Sequence, residues 1–367
     1  MKSPGPGFVV RSFVVTLLTL AVAQLPASRA EAGAKVLETD DFSLELGMRI
    51  QPRMELEWFS AGADAQQRDF MIRRARLKLN GKMQSASYGF EWKIDRTDQI
   101  GATPSAAVEN AWIRYPLGGG VDLRAGLYDQ PFSRDRLTSD SKQLAVDRGA
   151  VSDVPEALGL ADNTVGLEVL GKISGGRAEY VVGLFDNVKI PGSLQDVPMV
   201  VGRLDLNFGS TKDVFQDAHF GKDKWYSVGL NGSYQGSLED AGGASDGLRS
   251  AVGIDGMIDV PAGSRRVFAK GEADVIQTRP PAGGNTLDTK VWMLGFGVLV
   301  LEQRFQPFVR FDEIRLDDAV GGGVTDITYV GANFYQKGHS LKIQGDVRLQ
   351  SGGESVDGAR VQTQIDF

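Results

Sequence analysis

Over residues 341–349 and 360–367 the chain alternates apolar and polar side chains with a period of two, and that period commits it to β-structure. Leu341, Ile343, Val347 and Leu349 alternate with Lys342, Gln344, Asp346 and Arg348. From Arg360 onward, Val361, Thr363, Ile365 and Phe367 take one parity and Arg360, Gln362, Gln364 and Asp366 the other. Successive side chains of a strand point to opposite faces, so each segment carries one lipid-compatible surface and one charged surface. Repeated along the chain, this predicts an all-β fold: a transmembrane antiparallel β-barrel with a wet interior.

The first thirty residues read as an export signal rather than as part of the fold. Lys2 and Arg11 supply positive charge, residues 13–23 are apolar, and Ala27-Ser28-Arg29-Ala30 offers small residues for cleavage after Ala30, with Ala32 as the neighbouring alternative. The apolar run falls short of the roughly 20 residues a spanning helix needs. Residues 31–367 then form the barrel domain. Without its signal the chain has 37 basic and 47 acidic residues, a balance that argues against a nucleic-acid partner. It has no cysteine, so neither a disulfide framework nor a thiolate metal site is available.

Walking the alternation gives sixteen strands. The first runs from Asp41 through Trp58, with Leu44, Leu46, Met48 and Ile50 on one face and Glu45, Arg49 and Gln51 on the other. The second, near residues 68–80, sends Arg74, Arg76 and Lys78 inward, and Asn80-Gly81 is expected to form the tight turn after it. The third sets Tyr88, Phe90, Trp92 and Ile94 against Glu91, Lys93 and Asp95. The others lie near 106–115, 120–128, 165–173, 178–185, 198–208, 224–235, 248–260, 266–277, 288–300, 303–315, 325–336, 339–350 and 356–367. Val291 to Val300 is the weak case, being apolar on both parities.

Connection length alternates with strand number. One set is short, as at Ser174-Gly175-Gly176 and Lys337-Gly338; the other is long, as at 129–162 and 235–247. Outer-membrane barrels have short periplasmic turns and long outer loops, so both termini are expected on the periplasmic side. The 209–223 connection breaks the rule, being long on the short side. A soluble β-sandwich also alternates, but its apolar face needs large side chains to fill a core. Here the apolar parity carries Tyr88, Trp92, Tyr115, Tyr226 and Tyr234 where interfacial girdles would lie.

A lumen acts through charge. Arg74, Arg76 and Lys78, two residues apart on one strand, form a stripe with neighbours about 6.6–6.8 Å apart. Lys93, Arg114 and Arg124 share the inward parity, as do Glu91, Asp95, Asp122, Asp205, Glu272 and Asp274. Opposite charges on facing strands can neutralise one another, which competes with a role in selectivity. With only His219 and His339 in the chain, hydrolase and His-rich metal sites have little to work with; no catalytic residue, metal site or cofactor is expected.

Several stretches resemble the phosphate-selective porin O and P family of Gram-negative outer membranes. They are Arg73-Arg74-Ala75-Arg76-Leu77, Tyr88-Gly89-Phe90-Glu91-Trp92-Lys93-Ile94-Asp95, and Leu123-Arg124-Ala125-Gly126-Leu127-Tyr128 with Gln130-Pro131-Phe132. The resemblance implies a sixteen-stranded homotrimeric porin in the outer-membrane lipid, passing small hydrophilic solutes or anions such as phosphate. It also implies a third outer loop that folds inward to narrow the pore. That loop would be 129–162, with Arg134, Asp135, Arg136, Lys142, Asp147 and Arg148 as constriction residues. The loop carries four basic against seven acidic residues, which argues against strict phosphate specificity. The competing class is a non-conducting barrel that serves as a structural or docking protein.

Overall fold

The structure is a computed structural model; it describes residues 33–59, 66–95, 105–186, 197–238, 247–281, 285–318, 322–352 and 356–367. The expected signal, residues 1–30, lies outside the described residues. The strands are β1 (Ala34–Glu38), β2 (Phe42–Phe59), β3 (Gln66–Met83), β4 (Ala86–Asp95), β5 (Ser105–Gly118), β6 (Val121–Asp129), β7 (Asn163–Ile173), β8 (Ala178–Phe185) and β9 (Met199–Gly209). They continue with β10 (Trp225–Leu238), β11 (Gly247–Ala262), β12 (Arg265–Arg279), β13 (Leu287–Leu299), β14 (Phe305–Leu316), β15 (Gly323–Lys337), β16 (Leu341–Ser351) and β17 (Val356–Asp366).

From β2 to β17 each strand pairs antiparallel with the next, and β17 pairs back onto β2 from Val356↔Phe59 to Asp366↔Arg49. The result is a closed antiparallel barrel of sixteen strands. Closure matters physically because it leaves no sheet edge whose backbone groups would lack partners in lipid. β1 is an addition that the alternation did not reveal: it pairs with β2 at Ala34↔Leu46, on the stretch of that edge which β17 leaves uncovered. Between them Met48 and Phe367 exchange backbone hydrogen bonds of 2.7 and 3.0 Å.

The outward parity is apolar, as expected. Val267, Val275, Val347, Leu349 and Ile365 are exposed, whereas Arg266, Lys270, Glu272, Asp274, Lys342 and Asp346 on the alternate positions are buried. Trp92, Tyr115 and Tyr234 also stand on the exposed face. A soluble core inverts this distribution; a barrel in lipid requires it.

One expected turn is displaced. Asn80 and Gly81 stay in the ladder, opposite Gly89 and Tyr88, and the chain reverses at Gln84–Ser85, with Gln84 at φ 54. Gly81 is needed for another reason. A Cβ there would lie 1.9 Å from the Ser43 carbonyl oxygen and 2.6 Å from the Tyr88 hydroxyl, which itself donates to Ser43 O. Where β5 passes into β6, Gly118, Gly119 and Gly120 all take positive φ, which glycine adopts without steric cost.

Candidate channel lumen

The buried parity of the wall converges on two connections that enter from opposite ends of the barrel. The first joins β6 to β7 and carries α1 (Arg134–Leu137), a 3₁₀ turn (Asp140–Lys142) and α2 (Ala150–Ala157). Wall side chains hold much of its backbone. Asn333 Nδ2 donates to Leu144 O at 2.8 Å, Gln344 Nε2 to Gln143 O at 3.0 Å, Gln364 Nε2 to Ser141 O at 3.1 Å and Arg310 to Asp147 O at 2.8 Å. In the other direction, Asp346 accepts from Val146 N at 2.9 Å and Asp312 from Ala150 N at 3.0 Å. A segment without a strand ladder of its own satisfies its backbone in this way.

The apolar residues of this segment also find partners on the wall. Phe132 and Leu160 pack with Tyr128, Phe185, Met199, Val201, Ala251 and Ile276, while Ala150 and Val151 pack on Val291 and Met293. This explains why β13 is apolar on both parities: its outer face meets lipid and its inner face meets the segment. Leu144 lies over Gly295 and Gly297, where a Cβ would come within 3.2 Å of its methyl groups.

The second connection, between β9 and β10, is the one whose length broke the alternation. Its Val214, Asp217, Ala218 and His219 are buried. Asp217 N donates to Lys142 O at 2.9 Å, and Asp217 Oδ2 accepts from Leu144 N at 2.7 Å, so the two connections meet. His219 contacts Asp259 through both its backbone N–H and Nδ1, and stacks on Trp225 at 4.0 Å.

Beside the first segment lies a cavity of about 520 Å³, lined by nine basic and nine acidic side chains together with Asn163 and Tyr329. Of the residues expected to line the pore, Arg74, Arg76 and Lys93 border this cavity. Arg74 pairs with Asp140 at 3.0 Å; Arg76 pairs with Glu91 and Glu109, each at 2.9 Å, and with Asp95 at 2.7 Å; Lys93 pairs with Glu109. Lys78, Arg114 and Arg124 are not among its lining. Lys78 bonds Asp366 at 3.0 Å, Arg114 bonds Asp122, and Arg124 bonds Glu168 at 2.6 Å.

Of the residues expected in the loop, Arg136, Asp147 and Arg148 border the cavity. Arg134 and Asp135 point the other way: Arg134 reaches Asp255 at 2.5 Å and Asp205 at 3.2 Å, and Asp135 reaches Lys270 at 2.6 Å. Lys142 contributes its carbonyl to Asp217. Enclosure in the barrel works against ionising Asp147, but Arg53, Arg360 and Arg73 outweigh it and hold the carboxyl well below the usual carboxylate range. Asp140 is also held well below that range, against burial, by Arg148, Arg74, Arg76 and Arg49.

Strict alternation missed Arg73 and Glu109, and the reason is geometric. Gln51 faces Arg74 but Pro52 faces Ile72, which leaves Arg73 as an extra residue in a β-bulge. Pro52 has no N–H for the ladder, which suits it to such a site. Glu91 faces Asn110 while Trp92 faces Val108, so Glu109 is bulged in the same way. Both bulged residues line the cavity, as do Arg53 and Arg360, which clamp Asp147 at 2.6 Å each.

Residues 45–196 match the model of the phosphate-selective porin O and P family. The chain is an outer-membrane porin. Its fold is similar to that of an anion-selective porin from Comamonas acidovorans, with a TM-score of 0.60 and 14% identity over 89% of this chain and 100% of that one. It is also similar to the outer membrane channel DcaP of Acinetobacter baumannii, with a TM-score of 0.59 and 10% identity over 92% and 100%. The trimer form of OmpT from Vibrio cholerae gives a TM-score of 0.56 and 8% identity over 89% and 100%. An uncharacterized protein of Aquifex aeolicus (strain VF5) is 24% identical, covering 82% of this porin and 80% of its own chain. Fold and family point to a channel rather than an enzyme.

Proposed function

We propose that this porin is a general diffusion channel for small ions and hydrophilic solutes, narrowed by the β6–β7 segment and working as a homotrimer. The observation that carries the reading is the balance of charge around the cavity. A channel dedicated to phosphate needs donors with few carboxylates beside them. Here the arginines at the cavity already hold carboxylates, which favours hydration and a transverse field over tight anion capture. Exposed apolar side chains around the wall suit lipid and subunit contacts, and residues 1–30 would direct export. Arg74, Arg76, Lys93, Arg136, Asp147 and Arg148 are the residues we assign to the ion path.

Single-channel recording in planar bilayers tests the proposal. The wild type is expected to conduct chloride with modest anion preference and without block by phosphate. Deleting residues 150–157 should raise the conductance. Unchanged conductance would place the constriction elsewhere, block by low phosphate would favour a dedicated phosphate channel, and no conductance would favour a docking barrel.

A further inference from the structure

Behind the β6–β7 segment the wall holds more acid than its cations match. Arg203 bonds Asp205 at 2.6 Å and Asp255 at 2.8 Å, and Arg134 is shared between the same two carboxylates. Glu272 is satisfied by backbone, accepting the N–H groups of Arg134 at 3.1 Å and Asp135 at 3.0 Å. Asp274, two residues further along β12, is only 2% exposed, and neither of its oxygens has a hydrogen-bond partner among the described residues.

Its surroundings share the deficit. Asn231, Gly253 and Asp274 stand directly opposite one another on β10, β11 and β12. Asn231 is 7% exposed, and both its Oδ1 and Nδ2 are without partners among the described residues. Ser233, the next inward residue of β10, is buried with an unpartnered Oγ. A Cβ on Gly253 would lie 1.9 Å from Asp274 Oδ1 and 2.5 Å from Asn231 Oδ1, so both oxygens reach into the space that the glycine leaves open. On one side of this row Ala251 and Ile276 pack with Phe132 in an apolar cluster; on the other lies the Arg134–Asp255 network.

An ionised carboxylate enclosed this way is costly without a counter-charge or donors. Both neighbouring guanidiniums already serve other carboxylates. Asp274 Oδ1 and Asn231 Oδ1 remain, two hard oxygens converging on the gap at Gly253. We propose that Asp274 and Asn231 form a site for a hard metal cation of calcium's chemistry, completed by water. Among the described residues no three His, Cys, Asp or Glu side chains are grouped to hold a metal, so the site's charge comes from one carboxylate. Its affinity is accordingly of the low-charge kind, with a dissociation constant on the order of 10⁻⁴–10⁻³ M. The cation neutralises the wall beneath Phe132 and steadies the seating of the β6–β7 segment.

The test uses the full barrel in detergent, stripped with EDTA and heated at a fixed scan rate. Adding about 10 mM calcium, above that affinity, is expected to raise the apparent Tm of the wild type by a few degrees; sodium chloride of matched ionic strength is expected to do nothing. Asp274→Asn should be at least as stable as the wild type in EDTA, since it removes a buried carboxyl that lacks a counter-charge, and should not respond to calcium. Asn231→Ala, which keeps the charge, should shift the response to higher calcium. Three results overturn the proposal: a wild type indifferent to calcium, an equal shift with sodium, or an undiminished calcium response in both variants. If Asp274→Asn does not fold, the Asn231→Ala titration decides alone.

Discussion

Replacing Lys270 with Met should loosen both connections that occupy the lumen. Lys270 Nζ lies 2.6 Å from Asp135 Oδ1 on the β6–β7 segment and 2.6 Å from Asp217 Oδ2 on the β9–β10 connection, and Lys270 itself is 4% exposed. Breaking a buried ion pair from one side costs about 3–5 kcal/mol, because the partner's charge is left uncompensated. Here one substitution strands two carboxylates. The barrel's sixteen-strand ladder does not depend on this amine, and water is close at hand, so the cheaper response is for the segments to lift away and hydrate Asp135 and Asp217. A shift of about 3–5 kcal/mol changes a two-state population on the order of a hundred- to a few thousand-fold. In planar bilayers the K270M channel should show frequent upward conductance steps, whereas the wild type holds a steady level. Adding Asp135→Asn and Asp217→Asn removes the stranded charges and should restore steadiness. A K270M channel as steady as the wild type refutes the reasoning, and so does a triple variant as unsteady as K270M.

Two further outcomes follow from the same electrostatics. Arg74→Glu with Arg76→Glu sets two new carboxylates beside Asp140, Glu91, Asp95 and Glu109, so the reversal potential in a salt gradient should move toward cation preference. The shift should be larger at low salt, because the Debye length is already about 10 Å at 0.1 M; a shift independent of salt would contradict it. Acidification should have the opposite sign. Burial raises the Glu156 carboxyl, Asp162 and Asp129 add to that, and Arg136 and Arg148 oppose it. It therefore loses its negative charge at a higher pH than a free glutamate, about 4.3, while Asp140 and Asp147 stay ionised. Anion preference should grow as pH falls through that raised value, and Glu156→Gln should show the enhanced preference already at neutral pH; an unchanged pH profile in Glu156→Gln assigns the effect to another group.

The lining of the cavity was legible only in part. Arg74, Arg76 and Lys93 could be placed by counting alternate residues, because on those stretches of β3 and β4 parity and face coincide. Counting fails at a bulge, so Arg73 and Glu109 were passed over, and Arg53 and Arg360 became prominent only when Asp147 was seen between them. Parity also cannot rank residues of the inward set: Lys78, Arg114 and Arg124 share that parity, yet each is engaged with a carboxylate away from the cavity.

The sequence by itself determined the barrel. A two-residue period, sixteen times repeated, fixes which face of each strand meets lipid, and closure follows because lipid offers no partner to a free edge. Tertiary structure alone decided what fills the interior. The apolar inner face of β13 is intelligible only under Ala150, Val151 and Leu144, and the length of the β9–β10 connection only from the grip of Asp217 on Lys270 and Leu144 N. Those contacts join residues more than fifty positions apart through local apolar packing, single hydrogen bonds and ion pairs, which leave no period in the chain; the ladder of a barrel, paired strand to next strand, leaves one everywhere.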